Sequence, residues 1–352
     1  MGVWYATRED VKSALDSRET ARNDAQVDRA IEGSSRSVEG QLRRRFYPEL
    51  DTRYFDWPNF QYSRPWRLWL GANELISVSA LVAGGTTIAA SDYFLRRSDG
   101  KEEPPYTHIE VDLESSAVFQ AGATHQRAIA VTGLFGHSAD ETAAGTLAEA
   151  LDSAETGVDV SDGSLIGVGS IIKVDSERMI VTGRSALDTT VDIHGSDSLT
   201  ALASDVSITL TTATNAPVAG EVILIDSERM LVVDVAGTTL TVKRAWDGSV
   251  LATHAAGAGI YAYRTLTVQR GALGTTAAAH DTAAPVTRHV VPGLVNQLCV
   301  AESLVSIQGE LGAYAQRVGS GDNQRDAAGG GIDGIRAQAV RAYGRKMRKA
   351  AV

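Results

Sequence analysis

Two short strings in this chain contain residue types that carry out proton transfer or bind metals. The string Asp-Ser-Glu-Arg-Met occupies residues 175–179 and recurs at residues 226–230. Two carboxylates near a histidine could exchange protons with a substrate, and the same side chains could ligate a metal ion. Each string has a partner block in which an arginine precedes a histidine by ten residues: Arg270 with His280, and Arg244 with His254.

Both chemical interpretations need features that the sequence does not supply. Catalysis would need a pocket and carboxylates with perturbed pKa values. A metal site would need several converging ligands, yet neither histidine has a second His or Cys near it. Repetition is typical of a structural part. We therefore expect His254 and His280 to lie in structural turns, and Glu177 and Glu228 to point outward from a strand and pair with a nearby arginine.

Common nucleotide-binding and hydrolase motifs are missing from the sequence. It contains no Gly-x-Gly-x-x-Gly, no Walker loop and no Gly-x-Ser-x-Gly. We therefore predict no catalytic, cofactor-binding or metal-binding residues and no enzyme activity.

The spacing within the repeat predicts that one β-module lies inside another. In the second copy Met230 precedes Arg244 by fourteen residues, whereas in the first copy Met179 precedes Arg270 by ninety-one. Insertion into a hairpin is tolerated because the cost of closing a loop rises slowly with its length. A two-residue turn is predicted near Ala236-Gly237, within the inner module.

Helices are predicted at both ends of the chain. Thr7 to Asp10 matches a capping box with Asp10 in place of the usual glutamate, and a second helix is predicted over residues 23–45. Helix is predicted again after Pro292 and over residues 335–349, whereas residues 140–155 are predicted as a short Ala-rich helix or a flexible joint. The residues that recur on one face of the second helix are Ala30, Ile31, Ser34, Val38 and Leu42.

Residues 51–135 and 157–288 are rich in strand signals, so the predicted fold class is α+β. It should combine a small helical bundle and a β-region with an inserted all-β domain of two nested modules. The terminal helices must meet across that insert. The predicted domains are a discontinuous helical core with a β-region (residues 1–139 and 289–352) and the inserted domain (140–288), made of an outer module (157–187 and 263–288) and an inner module (188–262).

The composition excludes several classes of protein. The chain of 352 residues is 43% hydrophobic and 22% charged, which is typical of a globular protein of two or three domains. No apolar run is long enough to span a membrane, and no signal peptide is expected. Cys299 is the only cysteine, so an internal disulfide and a Cys-rich metal site are excluded. Synthesis in a reducing cytoplasm is expected.

The net charge of −10 is unevenly distributed. Residues 137–262 hold eighteen acidic and six basic residues, a net charge of −12, whereas the chain after Asp333 holds six basic residues and no acidic one. This asymmetry indicates an acidic displayed module and a basic docking segment. The candidate partner-binding residues of that segment are Arg336, Arg341, Tyr343, Arg345, Lys346, Arg348 and Lys349.

For the basic segment, docking on an acidic partner and a solvated helix face are equally open, and a nucleic-acid contact comes third. A second candidate surface lies in residues 43–69, which mix arginines with aromatic residues. Such a run can stack on single-stranded nucleic acid or anchor a protein interface. The acidic chain as a whole favours an interface or core packing. The candidate partner-binding residues here are Trp57, Trp66 and Trp69.

Several stretches resemble the head-to-tail adaptor, or connector, proteins of long-tailed bacteriophages. The opening YATREDVK leads into a helix that ends LRRRFYP, and two later stretches look like the β-region of that family. The repeated module, with its GTTAAAH block, is similar to a β-module of various phage structural proteins, although two nested modules depart from the plain family pattern. The adaptor-like stretches are residues 5–12, 42–48, 91–95, 131–136 and 335–345.

The resemblance implies a helical core, a ring of twelve subunits below the portal protein, and a lumen through which genomic DNA passes without sequence-specific binding. It implies no enzyme activity, and no cofactor or membrane contact is expected. The expected function is that of a virion structural protein, made in the host cytoplasm, that joins the portal to the neck, stopper or tail protein.

Two other functions stay open at this point. One is a tail-tube or baseplate protein with the modules as its main architecture, and the other is a hydrolase of cell-wall sugars that acts through paired carboxylates. The helical ends favour the adaptor over the tail protein. The missing catalytic signature disfavours the hydrolase.

Overall fold

A computed structural model of the chain describes residues 2–15, 24–57, 64–311, 317–318, 325–326 and 331–345. Contacts divide the chain into two compact units. The first unit comprises Met1–Arg43, Glu141–Ala272 and Thr276–Val352, and the second comprises Arg44–Asp140 and Leu273–Thr275. The terminal helices thus group with the strands after residue 140, whereas the sequence prediction grouped them with residues up to 139.

Four helices lie among the described residues of the first unit: α1 (Arg8–Ala14), α2 (Asp24–Leu42), α3 (Gly293–Leu311) and α4 (Ile332–Tyr343). The predicted capping box of α1 is confirmed. The Asp10 amide donates to Thr7 Oγ1 at 3.0 Å, and the Thr7 amide donates to Asp10 Oδ2 at 2.9 Å. Helix α2 ends before the predicted residue 45, because Arg43 adopts a left-handed φ of 54°.

Helix α2 packs against α3, and the five residues of its predicted face are all buried. Leu298 and Cys299 are buried on α3, and Ser35 Oγ lies 3.4 Å from Cys299 Sγ. Gln41 Nε2 donates to Glu302 Oε1 at 2.7 Å. Burial raises the pKa of the Cys299 thiol to about 11, so this side chain packs as a neutral group. Each fully buried large apolar side chain contributes roughly 1.5–3 kcal/mol to this packing.

The second unit contains two antiparallel sheets around one apolar cluster. Every second residue of the strand Ile129–Phe135 is buried. Among these residues is Gly133, where a Cβ would lie only 2.0 Å from the Ser77 carbonyl oxygen, so the neighbouring strand leaves no room for a side chain. The strands are β1 (Glu49–Phe55), β2 (Arg67–Trp69), β3 (Leu75–Ala83), β4 (Thr86–Ile88), β5 (Tyr93–Arg96), β6 (His108–Val111) and β7 (Ile129–Phe135), in the orders β1-β7-β3-β4 and β2-β6-β5.

The first unit contains a large antiparallel sheet. Its strands are β8 (Glu141–Thr146), β9 (Gly157–Asp159), β10 (Ile171–Val174), β11 (Glu177–Asp192), β12 (Ser207–Thr209), β13 (Val222–Ile225), β14 (Glu228–Ala236), β15 (Thr239–Lys243), β16 (Gly259–Gln269) and β17 (Pro285–His289). They lie in the order β12-β15-β14-β13-β16-β11-β10-β17-β8, and β9 also pairs with β16. A two-stranded ladder, β18 (Arg317–Val318) with β19 (Arg325–Asp326), lies between α3 and α4 along the chain.

Two hydrophobic clusters occupy this large sheet. The outer cluster draws on residues 144–181 and 266–286, and the inner cluster on residues 191–262. The β10–β11 hairpin of the outer cluster corresponds to the β13–β14 hairpin of the inner cluster, at an offset of 51 residues. Ile172 pairs with Met179 across β10 and β11, as Ile223 pairs with Met230 across β13 and β14. The repeated sequence therefore marks a repeated hairpin in each cluster.

The long strands β11 and β16 run through both clusters. Ser185 pairs with Thr265 where the clusters meet. At the corresponding place in the inner cluster, Ala236 pairs with Thr239, and Gly237-Thr238 forms a two-residue turn there. A turn is therefore present as predicted, but its two residues lie one position later than the predicted Ala236-Gly237. In the outer cluster, residues 186–264 connect Ser185 to Thr265, at the position that the two-residue turn Gly237-Thr238 occupies in the inner cluster.

The prediction for residues 140–155 is wrong. Residues 141–146 form β8, in which Thr142 pairs with Arg288 and Ala143 with Thr287 of β17. Alanine favours helix intrinsically, but burial of Ala144 and Leu147 in the outer cluster and pairing with β17 override that preference.

The combination of helices with antiparallel sheets confirms the predicted α+β class. Within the described ranges, none of the helices combines the length and apolar character that crossing a membrane requires.

Candidate functional site

Three side chains of the outer cluster, Glu177, Arg270 and His280, form a buried polar group that we call the outer triad. Glu177 begins β11, Arg270 directly follows β16, and His280 lies in the next loop. Arg270 Nε and Nη2 donate to the two Glu177 oxygens at 2.8 and 2.9 Å. His280 Nε2 lies 2.9 Å from Glu177 Oε2, and its Nδ1 lies 2.7 Å from Asp175 Oδ2.

The same arrangement recurs in the inner cluster as the inner triad, formed by Glu228, Arg244 and His254. Arg244 Nε and Nη2 donate to the Glu228 oxygens at 2.8 Å each. His254 Nε2 lies 2.9 Å from Glu228 Oε2, and its Nδ1 lies 2.7 Å from Asp226 Oδ2. Glu177 and Glu228, which are 51 residues apart in the chain, thus make the same charge-assisted contacts.

The hairpin turn of each module places its glutamate. Val174 pairs with Glu177, so Asp175 and Ser176 form the two-residue turn between β10 and β11. Asp175 adopts a left-handed φ of 50°, and Asp226 adopts 52° in the equivalent turn. Aspartate tolerates this conformation better than most residues. The Asp-Ser pair therefore supplies the turn and sets the direction of the glutamate that follows.

Each triad also fixes neighbouring loops through the backbone. In the outer triad, Glu177 accepts from the Gly271 and Ala278 amides. Arg270 donates to the Ala278 carbonyl in its own loop and to the Asp152 and Glu155 carbonyls in the loop between β8 and β9. A buried ion pair with all its remaining donors and acceptors satisfied holds these loops in one arrangement. The corresponding partners of the inner triad are the amides of Ala245 and Ala252 and the carbonyls of Thr200, Asp205 and Ala252.

The electrostatics of the triads oppose a role in acid–base chemistry near neutral pH. Burial by itself would raise the pKa of Glu177, but hydrogen bonds from Arg270, His280 and two amides outweigh it and lower the pKa to about 2. The pKa of Glu228 is lowered to about 2 by the equivalent contacts. An efficient general acid or base has a pKa near the working pH. Both glutamates are instead fixed as buried anions.

The predicted outward orientation of Glu177 and Glu228 is wrong. Both are fully buried, and their arginine partners lie 93 and 16 residues away along the chain rather than adjacent. Burial is possible because a bidentate arginine and two amides replace the water that each carboxylate gives up. The adjacent Arg229 pairs with Asp247 instead, at 2.8 Å.

The geometry supports a structural role for the two histidines, since both ring nitrogens face carboxylate oxygens and the rings are 0% and 2% exposed. Among the residues that the structure describes, no three His, Cys, Asp or Glu side chains are arranged to hold a metal ion.

A further buried ion pair lies at the boundary of the two clusters, and the sequence interpretation missed it. Arg264 Nε and Nη2 donate to Glu221 at 2.7 and 2.8 Å. The Gly163 amide also donates to Glu221, at 2.8 Å, and Arg184 donates to the Gly163 carbonyl at 2.9 Å. The sequence does contain a signal for this pair. Glu221 is a charged residue at a position where the first copy of the repeat has the uncharged Ser170.

The three candidate tryptophans take part in packing within the second unit. Trp57 stacks on His125, with ring centroids 5.5 Å apart. Trp66 and Trp69 lie on Arg67, whose guanidinium is 4.9 Å from one ring centroid and 5.7 Å from the other. All three indoles are half-buried. Cation–π contacts of this kind stabilise the unit internally and leave only part of each ring for a partner.

The basic segment begins on α4. Arg336 donates to Glu302 at 3.0 Å and to Asp333 at 3.3 Å, whereas Arg341 is exposed. Tyr343 and Arg345 are half-buried, and the Arg345 amide donates to the Leu42 carbonyl at 3.1 Å. The remaining candidates, Lys346, Arg348 and Lys349, lie outside the described residues.

The charged side chains of the large sheet differ in exposure. The side chains of Arg244, Arg264 and Arg270 are 1%, 3% and 7% exposed, and each is paired with a buried glutamate. By contrast, Asp175 and Asp226 are 61% and 62% exposed. The buried pairs are balanced in charge, so the negative charge of this region lies on exposed carboxylates such as these.

Comparison with known proteins gives no relative: no protein-family model, curated protein or solved structure matches the chain. Its function is therefore inferred from its own residues and geometry.

Proposed function

We propose that this chain is a head-to-tail adaptor, a virion structural protein whose ring joins the portal to the neck or tail and surrounds the path of the DNA. The observation that carries the proposal is the packing of helices from opposite ends of the chain. Helices α1 and α2 both contact α3, and Asn296 Nδ2 donates to the Tyr5 carbonyl at 3.0 Å. The stretches that resemble adaptors therefore include two chain ends that meet in one helical group.

The basic segment is the proposed docking element. Helix α4 has twelve residues and contacts α2 and α3. An isolated helix of that length is marginal in water, so packing against its neighbours stabilises it. Arg341 and the basic residues that follow would meet an acidic surface of the portal or of the next subunit. The half-buried tryptophans of the second unit are the second candidate contact.

A direct test of the adaptor proposal is negative-stain imaging of the full chain mixed with purified portal. Closed rings stacked on the portal would support the proposal. Tubes would indicate a tail-tube protein. Particles that stay monomeric beside the portal would contradict it, and lytic activity on cell walls would favour a hydrolase.

The docking element can be tested separately by charge reversal. We expect R341E/R345E/R348E to keep the monomer folded, because Arg341 is exposed and the substitutions keep the hydrogen bond from the Arg345 amide to the Leu42 carbonyl. Portal association should weaken at least tenfold, and wild-type association should weaken as salt rises because exposed charges are screened. K243E, which reverses an exposed charge on the large sheet, is the control. Unchanged portal binding by the triple variant would leave α4 as a solvated helix.

We further propose that residues 188–262 are a closed module inserted into the hairpin of an outer module. The two separate hydrophobic clusters support this, since every member of the inner cluster lies between members of the outer one in sequence. The test is to replace residues 186–264 by Gly-Thr, the turn that the inner cluster uses between Ala236 and Thr239. This restores fourteen residues between Met179 and Arg270.

The shortened chain should stay soluble and keep cooperative unfolding, because the outer cluster retains its hairpins and its triad. Removal of residues 150–230 is the matched control, since it takes parts of both clusters. If that control folds and the Gly-Thr chain does not, the modules follow one another along the chain and nesting is wrong.

A further inference from the structure

A groove with a volume of about 240 Å³ lies within the first unit. Its walls come from the segment before α1, the loop that leads into β10, the end of β17 and the start of α3. The residues that line the groove include the apolar Ile171, Val290 and Val291 and the polar Thr7, Asp10 and Arg288.

The walls of the groove are held in place before any ligand arrives. Trp4 Nε1 donates to Glu32 at 2.6 Å, and the Tyr5 hydroxyl donates to Glu39 at 2.7 Å. Gly169 has a φ of 98°, and a Cβ there would lie 2.4 Å from the Trp4 ring, so the loop and the indole are in close contact. A groove built from such fixed parts loses little entropy when it binds a ligand.

Arg288 is the unexplained residue of this groove. It lies on β17 and pairs on both sides, with Ile172 of β10 and Thr142 of β8, so its backbone is fixed. The side chain is half-buried, and its buried Nε has no hydrogen-bond partner. Among the described residues it has no ion-pair partner either. Other buried arginines of this sheet, such as Arg244 and Arg270, each hold a carboxylate.

The carboxylate in the same groove is already engaged. Asp10 Oδ2 accepts from the Thr7 amide at 2.9 Å and from Asn296 at 3.3 Å, and it closes the capping box of α1. Arg288 therefore lacks the anion that a partly desolvated guanidinium needs. A guanidinium fork binds carboxylate and phosphate oxygens in pairs.

We propose that this groove binds a small organic anion, with a carboxylate or phosphate group on Arg288 and an apolar body against Val290 and Val291. The volume admits a ligand of about the size of an aromatic acid, and one cation allows one anionic group. This binding site is independent of the adaptor function, because it needs neither the portal nor the basic segment.

The test is calorimetric titration of the full chain with benzoate and with phenyl phosphate, which share an apolar body and differ in the anionic group. Saturable one-to-one binding of at least one of them is expected, and comparison of the two identifies the preferred group. Acetate should bind at least fivefold more weakly than benzoate because it lacks the apolar body. Benzamide, the neutral analogue, should bind at least tenfold more weakly.

Variants assign the binding to Arg288. R288Q should weaken binding of the preferred anion at least tenfold, and R288K should keep part of the affinity because it supplies a point charge without the fork. R29Q, which removes an exposed arginine from α2, should bind like the wild type. Should R288Q fail to fold, the comparison of benzoate with benzamide on the wild type still decides the proposal.

Three results would overturn the proposal. They are no saturable binding of either anion, equal binding of benzoate and benzamide, and unchanged affinity in a folded R288Q. Sedimentation velocity covers a fourth case. If the wild type self-associates and R288Q is monomeric, Arg288 takes a carboxylate from a second copy, and the small-anion site is wrong.

Discussion

The outer and inner clusters share their interior and differ at their edges. Both are built on the same hairpin and hold the same triad, but their loops have different neighbours. In the outer cluster the loop at Gly169-Ser170 contacts Trp4 and the start of α1. In the inner cluster the equivalent Gly220-Glu221 receives the Gly163 amide of the outer cluster and the Arg264 guanidinium.

This difference indicates which parts of the module are structural and which are adapted to position. A feature present in both copies, such as the triad, stabilises the module itself, independently of its neighbours. A feature present in only one copy makes contacts with the neighbours of that copy. The Glu221–Arg264 pair attaches the inner cluster to the outer one. The equivalent residue of the outer cluster, Ser170, carries no charge and instead lines the groove that also contains Arg288.

Removal of one triad carboxylate should have the largest effect and should be unequal between the clusters. E177Q and E228Q each leave a buried arginine without its anion, which costs about 3–5 kcal/mol of unfolding free energy. Loss of the outer triad should spread to the inner cluster, because half of the β11–β16 ladder that the two clusters share lies in the outer one. We expect E228Q to affect the inner cluster alone.

Hydrogen exchange measured by mass spectrometry checks this asymmetry. E177Q should lower the protection of residues 171–181 and 222–232, and E228Q only that of residues 222–232. D234N, which neutralises an exposed carboxylate on β14, is the control and should change neither. Equal loss in both segments from E228Q would show that the two clusters unfold as one body.

Acid should weaken both clusters through the same two glutamates. The pKa of each is lowered from an ordinary value of 4.5 to about 2, so the folded state binds the proton less readily than the unfolded state does. The stabilisation is therefore complete above about pH 4.5 and is lost as the pH falls through about 2. Each glutamate contributes about 3 kcal/mol.

Urea unfolding between about pH 6 and pH 2 measures this loss. The wild type should lose more stability than E228Q over this range, by about 3 kcal/mol, because the variant lacks one of the two titrating groups. E177Q should show the same reduced dependence. A slope in E228Q equal to that of the wild type would mean that other carboxylates account for the acid sensitivity.

The comparison of the clusters also shows what the sequence can predict. Periodicity identified the buried face of α2, and a glycine turn signal identified the hairpin near Gly237, because both depend on residues close together in the chain. The shared Arg and His blocks marked the triad residues, but their burial depends on bonds between residues as far apart as Glu177 and Arg270. Local pattern does not specify such bonds.

The remaining misses have the same cause. Residues 141–146 carry an alanine-rich pattern, yet they form an edge strand because β17 is there to pair with them. The Arg264–Glu221 pair joins residues outside the repeated strings. The unpartnered Arg288 becomes visible only when its neighbours in space are known, since nothing around it in sequence distinguishes it from a solvated arginine.

The smallest expected effect concerns α1, which contacts the outer and inner parts of the sheet by different chemistry. Glu9 Oε2 accepts from the Val168 amide at 2.8 Å. Lys12 Nζ lies 3.0 Å from Asp247 Oδ1 of the inner part and 2.6 Å from Asp24 Oδ1 of α2. Partly exposed ion pairs contribute at most about 1 kcal/mol and weaken as salt rises. K12Q should therefore cost up to about 1 kcal/mol at low salt and almost nothing at about 1 M salt.

E9A should behave differently at the other contact, because it leaves the Val168 amide without its acceptor whatever the salt concentration. Exchange should increase at residues 168–170 in E9A and at residues 246–248 in K12Q. If K12Q loosened both segments equally, α1 would be held as one rigid piece, and the separate attachment of the two clusters to it would be wrong. If high salt failed to erase the K12Q effect, the Lys12 stem would contribute by packing rather than by charge.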